Sequence, residues 1–88
     1  MARSLSRWLI PVTWEKGKKV PGRDPAQWRK DAHGVLISRT SYGKWNKYGW
    51  ECDHIKPWKH GGRDEPSNLR PLNIMANRTK GSKWKGKK

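Results

Sequence analysis

The sequence predicts a small α+β domain: a strand, a long loop, a second strand and a closing helix, behind an irregular N-terminal stretch with a short strand and helix. Three observations carry this. Trp50-Glu51-Cys52-Asp53-His54-Ile55 alternates as a strand does, and Pro57 ends the run. Asn68-Leu69-Arg70-Pro71-Leu72 reads as a second short extended piece. Asn73 stands where a helix cap is needed, ahead of Ile74, Met75, Ala76 and Asn77, with the helix running to about Lys80 and Gly81 as its stop.

The N-terminal half is less regular. Residues 8–14 read as a short extended segment that Pro11 limits to an edge. Residues 15–24 are turn-rich and basic. Asp24-Pro25 has the form of a helix cap followed by proline at the first helical position. A short helix through Arg29-Lys30, closing near Gly34, follows from that. Val35-Leu36-Ile37 is a β-type run, and residues 41–49, with Gly43, Asn46 and Gly49, form a loop. Trp50 and Trp58 bracket the strand at 50–55. With Phe absent and 7 Trp present, most of the tryptophans are expected in the core with Leu and Ile.

Charge narrows the function. The chain carries 21 Lys+Arg against 7 Asp+Glu, a formal net of +14 on 88 residues. That balance repels itself unless a polyanion is near, and nucleic acid is the natural partner. A solubilising surface is the plainer alternative. From Arg78 the chain has cations at Arg78, Lys80, Lys83, Lys85, Lys87 and Lys88 and no acid. Residues 82–88 read as a flexible basic tail on a single domain spanning 1–81. Trp84 in that tail is placed equally well to stack on a base or to fold back on the core. One cysteine, Cys52, excludes an internal disulfide and a paired-cysteine zinc site, and reads as a packed strand residue. No stretch approaches the roughly 18–20 apolar residues of a membrane span. No signal peptide is read, so the expected location is the cytoplasm.

Few residues are available for chemistry. The acids are Glu15, Asp24, Asp31, Glu51, Asp53, Asp64 and Glu65, too scattered for a two-carboxylate site within one segment. Asp53-His54 stands out. Neighbours on a strand point to opposite faces, so the pair shares a pocket only if the site straddles the strand end. A helix packed on the hairpin would bring Asn77 toward Asp53.

These residues carry a resemblance. Asp53-His54-Ile55, Pro57, Gly61-Gly62, Asn68-Leu69, Pro71-Leu72, Asn77 and Lys80-Gly81 resemble, in order, the ββα-metal core of HNH endonucleases. The likeness covers about residues 48–81, with Asp31, Gly34, Tyr42-Gly43 and Gly49-Trp50-Glu51 similar to the lead-in of small phage and bacterial members. The chain lacks the Cys-x-x-Cys pairs of zinc-ribbon members, and has Asn where others close on His.

By position, the resemblance implies that Asp53 and Asn77 hold one divalent ion. Hard oxygen donors favour Mg²⁺ or Mn²⁺. His54 resembles the general base that takes a proton from the attacking water, a role suited to an imidazole near pH 7. Its other ring nitrogen needs a partner, expected to be a carbonyl near Leu69-Arg70. Asn68 resembles the central Asn that braces the loop and so orients His54. Arg78 and Lys80, with Lys83 and Lys85 of the tail, are the expected phosphate contacts.

Each has an ordinary alternative. Asp53 pairs with a surface lysine, His54 is a half-buried histidine, Asn77 is a solvated helix residue, and Arg78 and Lys80 complement the helix dipole. His60 reads as loop surface and His33 as a turn residue.

The implied function is a metal-dependent nuclease that nicks double-stranded DNA as a monomer, with weak sequence preference, leaving 5′-phosphate and 3′-hydroxyl ends. The alternatives are a basic nucleic-acid-binding module without catalysis, and an accessory to a larger DNA-processing complex such as a phage packaging machine.

Overall fold

A computed structural model describes residues 5–81. Its elements run α1 (Leu9–Trp14), β1 (Lys18–Lys19), β2 (Trp28–Lys30), β3 (Leu36–Ser38), β4 (Trp50–His54), β5 (Leu69–Asn73) and α2 (Ile74–Lys80). β1, β2 and β3 form an antiparallel sheet, and β4 and β5 a separate antiparallel hairpin. The fold is α+β, with β4, loop, β5 and α2 in the expected order. The basic tail with Lys83, Trp84 and Lys85 lies outside the described residues. Among the described residues no helix is long and apolar enough to cross a membrane.

Two N-terminal expectations are corrected. Residues 8–14 do not form an edge strand: Leu9–Trp14 is helical. Pro11 falls in the first turn, where backbone N–H groups have no intrahelical partner, so its missing donor costs nothing there. The helix is held by burying Leu9, Thr13 and Trp14, which recur on one face. The expected helix after Asp24 is a single turn. The Asp24 carboxylate accepts the Ala26 N–H at 3.0 Å, and the Asp24 carbonyl accepts those of Gln27 and Trp28. Trp28–Lys30 then pairs with Leu36–Ser38 in register Arg29↔Ile37. Tertiary pairing overrides the local helix signal.

One core joins the two sheets. Leu9, Trp14, Ile37, Trp50, Cys52 and Leu69 form it. The Trp14 and Trp50 rings lie 5.1 Å apart, and Tyr42 meets Trp50 edge-on at 4.8 Å. Among the described residues, Trp14 and Trp50 are the tryptophans that are buried. Trp8, Trp45 and Trp58 are exposed, because a core this small has no room for more large rings.

Two buried polar residues hold these parts in place, Arg29 within the N-terminal half and Asp31 between that half and the hairpin. Arg29 donates to the carbonyls of Glu15, Gly17 and Pro25 and to the Glu15 carboxylate. Asp31 accepts the His33 and Val35 N–H groups through Oδ1, and the Asn73 N–H through Oδ2 at 2.7 Å. Asn73 caps α2 as expected, its Oδ1 accepting from the N–H groups of Met75 and Ala76.

Candidate active site

The hairpin register sets the site. Asp53 stands opposite Arg70 and His54 opposite Leu69, at the loop end of the hairpin. α2 leaves β5 directly and packs back across β4, so its inner face returns to that end. Asp53, His54, Trp58, Asn77 and Lys80 thereby line one cavity of about 610 Å³. The site straddles the strand end, which lets two neighbours of opposite facing share it.

Asp53 is 3% exposed. Its Oδ2 accepts Arg70 Nε at 2.8 Å, and its Oδ1 accepts Lys80 Nζ at 2.9 Å. Lys80 also donates to the His54 carbonyl at 3.2 Å. The helix residue that reaches Asp53 is therefore Lys80. Asn77, on the same cavity, donates its Nδ2 to Glu51 Oε1 at 2.8 Å. Arg78 joins it there, with Nε at 3.2 Å from Oε1 and Nη2 at 2.9 Å from Oε2 of Glu51.

Glu51 is thus a hub for α2. Burial pushes its carboxyl up, but the hydrogen bonds from Arg78 and Asn77 and the Arg78 charge prevail and hold it below the ordinary 4.5. On the neighbouring Cys52, burial pushes the thiol up, as befits a packing residue rather than a nucleophile.

His54 finds a partner other than the expected backbone carbonyl near Leu69-Arg70. Its Nε2 lies 2.7 Å from Oδ1 of Asp64, in the loop between the strands. A carboxylate accepts, so Nε2 carries the proton and the lone pair of the neutral ring sits on Nδ1. The Leu69 carbonyl, on the residue opposite His54, instead accepts Lys16 Nζ at 2.8 Å.

Asn68 ties the loop together through its side chain. Its Oδ1 accepts the Lys56 N–H at 2.8 Å, and its Nδ2 donates to the carbonyls of Lys56 and Arg63, each at 3.0 Å. The loop closes so tightly here that a Cβ on Gly62 would overlap the Lys56 carbonyl. Asn68 thus fixes both ends of the segment that carries Asp64 to His54.

The side-chain contacts of Asp64, Glu51 and Arg70 are not legible in the sequence. Glu51 and Arg70 become legible only through the hairpin register and the path of α2. Asp64 sits in a loop without periodicity, and nothing in the residue order announces it.

The family model for HNH endonucleases matches residues 40–83, half of the chain. The chain belongs to the HNH endonuclease family. No curated protein and no solved structure shows a match to it. The HNH match ties this domain to nuclease-related work on nucleic acid. HNH nucleases generally use a divalent metal ion. Among the described residues no group of three or more His, Cys, Asp or Glu could hold one. A two-ligand oxygen site remains compatible with the donors present. The Asp53 carboxylate and Asn77 line the same cavity, and with Nδ2 engaged by Glu51 the amide oxygen is the atom Asn77 would offer a metal ion.

Proposed function

We propose that this HNH domain nicks double-stranded DNA with the help of one Mg²⁺ or Mn²⁺ ion. The observation that carries the reading is His54, paired through Nε2 with Asp64 and sharing a cavity with Asp53, in a chain with a net charge of +14. His54, held through Nε2 by Asp64, presents Nδ1 to a water and takes its proton as the water attacks phosphorus. Asn68 positions the loop and with it the imidazole. Asp53 and Asn77 would hold the ion, which when bound stabilises charge on the phosphate and the leaving 3′-oxygen. The products are 5′-phosphate and 3′-hydroxyl ends. Arg78, Lys80 and the tail residues Lys83 and Lys85 contact backbone phosphates. The domain spans 1–81, the tail 82–88, and one monomer carries one site, so nicked circles precede linear DNA.

The engagement of Asp53 by both Arg70 and Lys80 favours a second reading, a binding module that keeps the fold without the chemistry. Relaxation of supercoiled plasmid, with and without Mg²⁺ or Mn²⁺, decides between them. Metal-dependent nicking by the wild type that His54→Ala abolishes supports the nuclease. DNA retardation in a gel with no nicking by either protein supports the binding module.

A further inference from the structure

A second cavity, of about 330 Å³, lies between the N-terminal sheet and β5, and nothing in the catalytic reading uses it. Lys16, Lys18, Lys30 and Arg70 line it against one acid, Asp31. The Asp31 oxygens already accept three backbone N–H groups, from His33, Val35 and Asn73. Lys16 Nζ donates to the carbonyls of Pro66 and Leu69, which fixes the ammonium without neutralising it. Lys18 and Lys30 stand directly opposite each other across β1 and β2. Like charges in that register repel, so the free sheet holds them at a cost that an anion between them removes.

Arg70 links this cavity to the catalytic one. Its Nε donates to Asp53, while the same guanidinium lines the second cavity. Five N–H donors allow one guanidinium to serve both. We propose that the second cavity is a phosphate site for the DNA backbone, away from the bond that is cut, with Lys18 and Lys30 as its principal contacts. The inference rests on the reading of DNA as the partner, but not on cleavage. Through this site the N-terminal sheet extends the track of bound DNA past the hairpin.

The test is the binding of a fluorescent duplex of about 20 base pairs to the full chain across a range of NaCl, with EDTA present so that nothing is cut. Each phosphate contact adds about 0.9 to the slope of log K against log salt. Lys18→Gln/Lys30→Gln should lower that slope by about 2, whereas Lys44→Gln/Lys47→Gln, with the same loss of charge, should leave it nearly unchanged. Equal falls in both double variants, or none in the first, would overturn the site, as would a wild type that binds no duplex. Because the assay needs no cleavage, a chain that fails to nick plasmid still decides the cavity by its slopes. The melting temperature of Lys18→Gln/Lys30→Gln without DNA should hold or rise, since opposed like charges are removed. A fall would assign the two lysines to the fold and sink the proposal.

Discussion

Lys80 sets its ammonium 2.9 Å from Oδ1 of Asp53, on the carboxylate that the HNH pattern gives to a metal ion. Arg70 takes the other oxygen at 2.8 Å. A divalent ion on Asp53 must therefore displace the lysine or share with it. Lys80→Met removes that competitor, so isothermal titration should show Mn²⁺ binding several-fold more tightly than to the wild type. Without metal, the variant should lose about 1–3 kcal/mol of stability, because one charged hydrogen bond to a buried acid is gone while Arg70 still pairs it. Added Mn²⁺ should then narrow the gap, since a ligand that binds only the folded state stabilises it. Unchanged Mn²⁺ affinity would show that the ammonium does not compete.

The His54–Asp64 contact makes a separate claim. If Asp64 sets the tautomer, Asp64→Asn lowers nicking by part of the roughly 10²–10⁴-fold that loss of the base itself costs. DNA affinity should stay within about twofold of the wild type. The ¹⁵N shifts of the His54 ring separate positioning from mere folding: in the variant the proton should no longer reside on Nε2 alone. Unaltered ring shifts would remove Asp64 from the mechanism.

Asn68 and Gly62 act on one closure. Asn68→Ala deletes three side-chain hydrogen bonds to Lys56 and Arg63 and should cost about 1–3 kcal/mol in urea unfolding, as the loop is partly exposed. Gly62→Ala presses a methyl into the Lys56 carbonyl and should open the same place. In both, hydrogen exchange at the Lys56 amide should quicken, and nicking should fall further than DNA affinity. Fast exchange at Lys56 with full nicking would mean that the brace does not serve His54.

The hairpin and α2 are legible in the sequence because their signals are local. Alternation, Pro57, the Asn73 cap and the Gly81 stop each act within a few residues, and each appears where expected. The N-terminal half departs from its local signals because distant partners decide its elements. Leu9–Trp14 is helical because Leu9, Thr13 and Trp14 are buried together, and Trp28–Lys30 is a strand because Leu36–Ser38 lies beside it. The site divides the same way. Asp53, His54, Asn68 and Asn77 can be named from an ordered motif. The contacts of Asp64, Arg70 and Lys80 depend on how a loop, a register and a helix face meet, and residue order does not carry that.

Glu51 offers a test of how α2 is held to the hairpin. Its carboxylate accepts Asn77 Nδ2 at 2.8 Å and Arg78 Nη2 at 2.9 Å. Burial raises its pKa, yet these bonds and the Arg78 charge leave it below 4.5. A carboxyl with a folded pKa below its unfolded value adds stability that is fully present above the unfolded pKa and is lost as pH falls through the folded one. Glu51→Gln lacks that contribution at every pH. The melting temperatures of wild type and variant should therefore differ by a constant amount above about pH 5 and converge as the pH drops below about 4. Divergence in acid would reverse the sign and rule out a lowered pKa. A constant gap down to about pH 2 would mean that Glu51 holds α2 by packing, with its charge irrelevant.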